Sequence, residues 1–236
     1  MTSAGALILW DIDRTLVDIG QVSRGIYAKA FLNVTKQPLQ KLADMTGRTE
    51  KAILLDTLAL HGVPHPESRF DEFYAALAEA ADALRDEMHR RGNRLPGSRE
   101  AIAALVRGGV VQTVVTGNIE AIAITKLEVS GLTEHIDFEV AGYGSDDSTR
   151  TTLVRLARQR AERKYGRRFA PDRIVVVGDT PLDMQAAHAV GVRAVGVATG
   201  SSTVADLTAA HADAVVPDLT DAAGVIAAVF NQALRG

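Results

Sequence analysis

Short apolar runs that each end at a polar residue recur along the chain, and they indicate the strands of a parallel sheet. Leu7–Trp10 is followed at once by Asp11, and similar runs cover Val110–Thr116 and Ile174–Val177. Between these runs the apolar residues recur with helical spacing. Alternation of strands and helices is typical of a parallel sheet with helices on both faces. The predicted fold class is therefore α/β, with a Rossmann-like parallel sheet as its core.

The second half of the chain supplies most of these elements. The further predicted strands are Phe138–Ala141, Ala194–Val197 and Ala214–Val216. The predicted helices are Ser98–Val106, Ile119–Val129, Thr149–Tyr165, Pro181–Val190, Thr203–Ala210 and Thr220–Leu234. Glycines, among them Gly108, Gly109 and Gly131, separate several of these helices from the strands that follow them.

Between residues 21 and 91 the pattern contains no convincing strand and indicates helices alone. These helices are Val22–Val34, Glu50–Leu60 and Pro66–Arg90, the last with the clearest apolar stripe. We therefore predict an all-helical cap domain at residues 17–93, inserted into an α/β core of residues 1–16 and 94–236. The expected hinges are Val17–Gly20 and Gly92–Gly97.

Two aspartates, Asp11 and Asp13, follow the first apolar run. Residues two apart in an extended chain point to the same side, so their carboxylates should lie close together. Carboxylates that close repel each other unless a cation or a shared proton separates them. Hard oxygen ligands of this kind suit Mg²⁺. A strand followed by an ordinary polar turn would give the same local pattern.

Polar residues also follow two later apolar runs. The segment Thr116–Asn118 ends one of them, and Asp179 ends another, with Asp183 one helical turn further on. Ligands of open parallel sheets bind beyond the carboxyl ends of the strands, where these residues should meet Asp11. A hydroxyl and free N–H groups at a helix start bind anions well, although Asn118 is also a preferred helix cap.

Taken in order, these segments resemble the motifs of the haloacid dehalogenase-like (HAD) hydrolase superfamily. The order is strand-D-x-D-x-T, strand-T-G-N, a basic residue at Arg150 where a helix opens, and strand-G-D-x-x-x-D. The resemblance covers nearly the whole chain. Within the superfamily, the chain is similar to the phosphoglycolate phosphatase-like branch, which has a helical cap after the first motif. It implies Mg²⁺-dependent hydrolysis of a small phosphate monoester through an aspartyl-phosphate intermediate.

The resemblance also implies a role for each acidic motif residue. Asp11 would be the nucleophile. Asp13 would be the general acid/base and would also offer its backbone carbonyl to Mg²⁺. Asp11 and Asp179 would be the remaining protein ligands of the metal. Asp183 would lie behind them and orient a metal-bound water or Arg150.

The remaining motif residues would bind the phosphoryl group. Thr116 would donate its hydroxyl, and Gly117 and Asn118 would assist with backbone or amide groups. Arg150 would offset the charge of the nucleophile and the phosphate, where the family more often has a lysine. Four more arginines follow on the same helix, so a solvated arginine is the competing interpretation.

Two further arginines stand at unusual places. Arg14 replaces the glycine that the family usually has there, so it must adopt a less favourable backbone or mark a different turn. Its side chain could point at the cap or at the substrate; we assign it no catalytic role and favour a contact with the surface or the cap. Arg48 lies in a loop that, by resemblance, reaches over the site, where it could read an anionic substrate group such as a carboxylate. Helix capping by Thr49 or Gly47 would explain the same loop.

The composition of the chain limits the classes of partner that are expected. A net charge of −3 gives no reason to expect nucleic acid or an anionic membrane, and no apolar stretch approaches a membrane span. The absence of cysteine excludes disulfides and thiol catalysis and fits a reducing cytoplasm. The N-terminus has no basic region before its apolar run, so a signal peptide is not expected. We expect a small phosphorylated metabolite as partner and a monomer or homodimer.

Other interpretations stay open. A phosphomutase would use the same core but needs a cap residue that shields the aspartyl-phosphate from water. A dehalogenase is opposed by Asp13, because family members that release halide usually lack an acid there. A non-catalytic binding protein would be expected to lose Asp11 or Asp13, and both are present. The histidines show no metal-ligand spacing and should be structural or at the surface; they are His61, His65, His89, His135, His188 and His211.

Overall fold

A computed structural model of the chain describes residues 5–64, 66–106 and 109–231. Its strands are β1 (Leu7–Trp10), β2 (Val17–Asp18), β3 (Asn93–Arg94), β4 (Val111–Val114), β5 (Ile174–Gly178), β6 (Arg193–Val197) and β7 (Ala214–Val216). Five of them form one parallel sheet in the order β4-β1-β5-β6-β7. The predicted α/β class with a parallel sheet is confirmed.

Ten α-helices are described in the same ranges. They are α1 (Val22–Thr35), α2 (Glu50–Leu60), α3 (Phe70–Ala83), α4 (Arg85–Arg91), α5 (Ser98–Ala104), α6 (Glu120–Val129), α7 (Arg150–Tyr165), α8 (Pro181–Ala189), α9 (Val204–Ala209) and α10 (Ala222–Phe230). Short 3-10 helices cover Pro66–Arg69, Phe138–Val140 and Pro171–Arg173. None of the helices described is long and apolar enough to cross a membrane.

Helices cover both faces of the large sheet because the side chains of β1 alternate between them. Ile8 and Trp10 pack into an apolar cluster with residues of α5, α6 and α10. Leu7 and Leu9 pack into a second cluster with residues of α7 and α8. Such burial on both faces explains why the strands read as continuous apolar runs.

The register of the sheet brings the polar strand ends to one edge. Trp10, the last residue of β1, lies level with Val114 of β4 and Val177 of β5. The residues that follow, Asp11 and the segments that begin at Val115 and Gly178, therefore leave the sheet side by side. Because the strands are parallel, neighbouring strand ends converge whatever their separation in sequence.

Helices α1 to α4 form a separate apolar cluster, in which Phe31, Leu54, Leu58 and Phe73 are buried. Ile119 and Ile122, at the start of α6, join the same cluster. The helical segment is thus packed against the sheet-forming part of the chain near the end of β4. The division into a cap at 17–93 and a core at 1–16 and 94–236 stays a prediction.

The two expected hinge segments pair with each other, which the sequence pattern did not indicate. Val17 lies opposite Arg94, and Asp18 opposite Asn93, in an antiparallel ladder between β2 and β3. The N–H of Leu95 also donates to the carbonyl of Leu16 at 2.9 Å. Each strand has two residues, too few for a recognisable period, so the pair was visible only in the folded chain.

The predicted strand Phe138–Ala141 is wrong. Its residues Phe138–Val140 form a 3-10 turn, because the Asp137 side chain accepts the N–H of Glu139 at 3.1 Å. The segment meets β4 on either side of this turn, through the N–H groups of Asp137 and Gly142. An apolar run of this length cannot by itself distinguish a strand from a tight turn that packs its side chains inward.

The predicted single helix Pro66–Arg90 is also wrong, since it is a 3-10 turn followed by two α-helices. The break falls at Leu84, whose φ of −104° and ψ of 11° depart from helical values. Beyond it, α4 turns toward α6, where Arg85 pairs with Glu128 at 2.5 Å. The predicted end of the last helix at Leu234, together with Gly108 and His65, lies outside the described residues.

Candidate active site

Asp11 lies at the edge where β1 ends and is 6% exposed. Its N–H donates to the carbonyl of Val177 at 2.8 Å, which continues the ladder with β5 by one residue. The guanidinium of Arg150, the first residue of α7, donates from Nη2 to Asp11 Oδ1. The same guanidinium places Nε 2.6 Å from Oδ1 of Asp183, as an ion pair without hydrogen-bond alignment. Arg150 therefore bridges two buried carboxylates.

Three carboxylates, those of Asp11, Asp179 and Asp183, converge here, each with an oxygen within 4.8 Å of the others. Asp179 leaves β5 directly, and the hydroxyl of Thr15 donates to it at 3.3 Å. Asp183 is held by a helix cap, because the N–H and hydroxyl of Thr180 donate to its Oδ2 at 3.1 and 2.6 Å. The convergence results from the ends of two neighbouring strands, β1 and β5, and from the first turn of α8.

The three carboxylates have one buried cation, Arg150, among them, so the cluster has fewer positive charges than acidic groups. Burial raises the pKa of Asp11 well above its usual value, against the opposing effect of Arg150. Burial and the neighbouring Asp183 raise the pKa of Asp179 to about 7. Oδ1 of Asp183 also has no hydrogen-bond donor in the described part of the chain. A hard divalent cation would supply the positive charge that these carboxylate oxygens lack.

Asp13 lies two residues from Asp11 and lines the same cavity, but it is not one of the three clustered carboxylates and its side chain has other partners. Nζ of Lys126 lies 2.6 and 2.7 Å from its two carboxylate oxygens, and Nδ2 of Asn118 donates to Oδ2 at 2.7 Å. The Asp13 side chain is 42% exposed, which leaves it open to the cavity. The proposed metal contact of Asp13 concerned its backbone carbonyl and stays a prediction.

Lys126 is a site residue that the sequence analysis missed. It lies on α6, is 3% exposed, and also donates to Oδ1 of Asn118 at 2.7 Å. A signal existed, because Lys126 lies one helical turn after Ile122 and Ala123, on the buried face of the helix. A lysine at an apolar position is rarely buried without a partner.

The segment after β4 provides the neutral polar groups. Oγ1 of the buried Thr116 accepts from the N–H and from Nδ2 of Asn118, at 3.2 and 2.7 Å. The Thr116 N–H donates to the carbonyl of Gly142 at 3.0 Å. Gly117 and Asn118 thus line the same cavity as Asp11, and the buried Thr116 is bonded to Asn118. That these three residues bind phosphate stays a prediction.

A loop of the helical segment is fastened onto these core loops. The carbonyl of Gly117 accepts the N–H of Glu50 at 2.7 Å, and the carbonyl of Gly144 accepts the N–H of Lys51 at 3.1 Å. A Cβ at Gly117 would lie 2.0 Å from the carbonyl oxygen of Arg48, so only glycine permits this approach. Arg150 Nη1 donates to the carbonyl of Gly47 at 3.3 Å. The loop therefore covers one side of the acidic cluster.

Arg48 lines the cavity, but its guanidinium already has partners. It pairs with Asp56 at 2.6 Å and donates to the carbonyls of Asp44 and Ala52. The adjacent Thr49 caps α2 by accepting the N–H of Ala52 at 3.3 Å. The loop thus has the capping function, and the reading of a substrate anion by Arg48 stays a prediction.

Glu50, the first residue of α2, is a second site residue that the sequence analysis missed. It is buried, lines the cavity, and accepts the hydroxyl hydrogen of Tyr27. Burial raises the pKa of Glu50 to about 8, with Lys126 opposing and Asp13 reinforcing the shift. An acidic residue in the first turn of a helix is common, so its sequence position carried no signal.

The cavity itself has a volume of about 250 Å³ and opens between the helical segment and the carboxyl edge of the sheet. Apolar side chains of Ile19, Met45 and Ile53 face the polar residues across it. None of the described histidines lines it, and their assignment to structural or surface positions stays a prediction. The space suits a small polar ligand.

The comparisons with known proteins agree with this arrangement. Residues 8–197 match the family model of haloacid dehalogenase-like hydrolases, and the chain belongs to this family. A phosphoglycolate phosphatase from Nitrosospira multiformis is 31% identical over 223 residues, covering 93% of this chain and 94% of that protein. One from Agrobacterium fabrum is 27% identical over 231 residues, covering 96% and 93%. A hydrolase from Pseudomonas syringae shares the fold, with a TM-score of 0.62 at 21% identity, covering 93% and 96%.

Proposed function

We propose that this phosphatase hydrolyses a small phosphate monoester in two steps, through an aspartyl-phosphate on Asp11, with Mg²⁺ as cofactor. The observation that carries the proposal is the position of Asp11, buried at the sheet edge between Arg150 and two further carboxylates. The curated relatives are named phosphoglycolate phosphatases, which supports phosphoglycolate or a similar small ester as the substrate.

The acidic cluster fits Mg²⁺ because its oxygens are close together, buried and short of positive charge. Asp11 and Asp179, with the backbone carbonyl of Asp13, would hold the ion, and Asp183 would orient Arg150 behind them. When bound, the ion supplies charge neutralisation for the phosphoryl oxygens and lets both carboxylates be ionised.

The first step forms a bond from a carboxylate oxygen of Asp11 to phosphorus and breaks the bond to the ester oxygen. Arg150 offsets the charge on Asp11 and the phosphoryl group, and the hydroxyl of Thr116 lies at the neighbouring strand end to bind a phosphoryl oxygen. Asp13, in its protonated form, donates a proton to the departing alkoxide.

The second step returns the enzyme to its starting state. Asp13, now ionised, takes a proton from a water that attacks phosphorus, and the bond to Asp11 breaks with release of inorganic phosphate. Lys126 and Asn118 hold the Asp13 carboxylate between the two steps. The loop around Gly47 limits access of bulk water to Asp11.

The test is a phosphate-release screen over small phosphorylated metabolites, with and without Mg²⁺. We expect release that requires Mg²⁺ and disappears in Asp11→Asn, while Asp172→Asn, the same change at an exposed site, keeps it. Turnover by Asp11→Asn at the rate of the unsubstituted protein would contradict the assignment of Asp11 as the nucleophile. A stable bisphosphate product or halide release would instead identify a mutase or a dehalogenase.

A further inference from the structure

We propose that Arg14 is a specificity-determining residue, whose guanidinium binds a second anionic group of the substrate at the mouth of the cavity. The inference rests on the proposed phosphatase function and deepens it, because it names the substrate class: a phosphate monoester whose other end carries a negative charge. Four observations about the backbone, the neighbouring cations, the exposure and the position of Arg14 support it.

The backbone of Arg14 has a φ of +60°, a region that side chains other than glycine enter at a cost. The conformation is held on both sides of the residue. The Arg14 N–H donates to the carbonyl of Val17 at 2.7 Å, and the Thr199 hydroxyl donates to the Arg14 carbonyl at 2.5 Å. Glycine would make both bonds without strain, so the fold does not explain the side chain. Strained residues of this kind concentrate at functional sites.

The other cations that line the cavity are already paired. Arg150 contacts Asp11 and Asp183, Lys126 contacts Asp13, and Arg48 contacts Asp56. Arg14 lines the same cavity and is exposed, and within the described ranges its guanidinium has no ion-pair or hydrogen-bond partner. It is therefore the cation at this cavity that can bind an additional anion without first breaking an internal pair.

The position of Arg14 suits the end of the substrate that does not react. It lies between Asp13, which faces the leaving group, and Thr15, whose hydroxyl bonds to Asp179. Arg14 is therefore held by its backbone beside the proposed reacting centre, while its side chain is exposed and lines the cavity. Its planar fork of N–H donors matches a carboxylate or a second phosphate.

The experiment compares two substrates of nearly equal size, phosphoglycolate and ethyl phosphate, which differ by a carboxylate in place of a methyl group. In Arg14→Gly we expect kcat/KM for phosphoglycolate to fall at least tenfold more than kcat/KM for ethyl phosphate, mainly through KM. Arg14→Lys, which keeps the charge, should recover part of the loss. If phosphoglycolate is a poor substrate, the best anionic ester of the screen and its uncharged analogue replace the pair.

Lys36 offers a matched control, because it is a cation with a φ of +59° that does not line the cavity. Lys36→Gly makes the same kind of change to charge and backbone and should leave the ratio of the two kcat/KM values unchanged. An equal loss on both substrates in Arg14→Gly, or no loss, overturns the role of Arg14 while turnover of either ester still supports the phosphatase. Absence of phosphate release from every ester would overturn the proposed function and the inference together.

Discussion

Asp11 and Asp13 are the same residue type two positions apart, yet they lie in opposite surroundings. Asp11 is buried with Asp179 and Asp183 around one guanidinium. Asp13 is open to the cavity and bonded to an ammonium and an amide. The difference teaches that packing separates the two proposed roles, since the buried side, around Asp11, would favour charge neutralisation by a metal and the open side, around Asp13, would favour proton exchange with ligand or water.

The largest effect should come from removing the guanidinium of Arg150, the cation on the buried side. Arg150→Met leaves Asp11 and Asp183 buried without it, so we expect unfolding free energy to fall by about 3–5 kcal/mol without divalent cation. Phosphate release should fall by about 10²-fold or more. Denaturant unfolding with and without MgCl₂ measures the first effect, and Mg²⁺ should restore part of the loss. Arg155→Met, an exposed position on the same helix, is the control; equal stability of the two variants would contradict the role of Arg150.

Next in size is the effect of Glu50, a buried residue that lines the cavity and interacts electrostatically with Lys126 and Asp13. Its pKa in the folded protein is raised from 4.5 to about 8, so its stabilising contribution is complete below about pH 4.5 and disappears as the pH rises through about 8. Each pKa unit corresponds to about 1.4 kcal/mol. Glu50→Gln, which stays neutral, should therefore flatten the fall of unfolding free energy between about pH 5 and pH 9.

Unfolding curves collected across this pH range test the prediction. Glu100→Gln makes the same change on an exposed helix face and should follow the pH dependence of the unsubstituted protein. Parallel curves for Glu50→Gln and the unsubstituted protein would show that Glu50 is not the group responsible.

A smaller effect is expected for Lys126, because Asp13 can turn to water when its partner is lost. Lys126→Met should lower steady-state kcat by about 10- to 100-fold with little loss of stability, since methionine fits a buried helix position. Lys126→Arg should recover part of the rate. The first turnover of p-nitrophenyl phosphate, whose leaving group needs no proton, should change least. A first-turnover loss as large as the steady-state loss would contradict a role through Asp13.

The smallest effect concerns competition between protons and metal on the buried side. The pKa of Asp179 is raised to about 7, so in the metal-free protein its contribution to stability is complete below about pH 3.8 and is lost as the pH rises through about 7. Mg²⁺ should reverse this trend by binding the ionised form. The stabilisation by MgCl₂ should then grow with pH, by at most about 1.4 kcal/mol per unit and per proton displaced.

Melting temperatures between about pH 5.5 and pH 8, with NaCl of equal ionic strength as the reference, measure this difference. Asp179→Asn should abolish the dependence on MgCl₂. A stabilisation by MgCl₂ that is equal at all pH values would mean that the ion binds elsewhere.

Much of the architecture was encoded locally. Apolar runs marked the five strands of the large sheet, and the polar residues that follow β1, β4 and β5 marked the edge at which the candidate site lies. Parallel pairing then brings Asp11, Thr116 and Asp179 together without further information, because neighbouring strands end at the same edge. Helix starts were equally local, as at Thr180, where a proline follows the capping residue.

Tertiary structure alone decided which side chains became partners. Lys126 meets Asp13 across 113 residues of chain, and Tyr27 meets Glu50 between two helices. Arg48, one of the candidates for binding a substrate anion, pairs with Asp56 on the same helical segment. Periodicity specifies which face of an element is buried, but the identity of the group it is buried against depends on how elements distant in sequence pack. The pattern of apolar and polar residues along one sequence therefore cannot specify which charged side chains pair at this site.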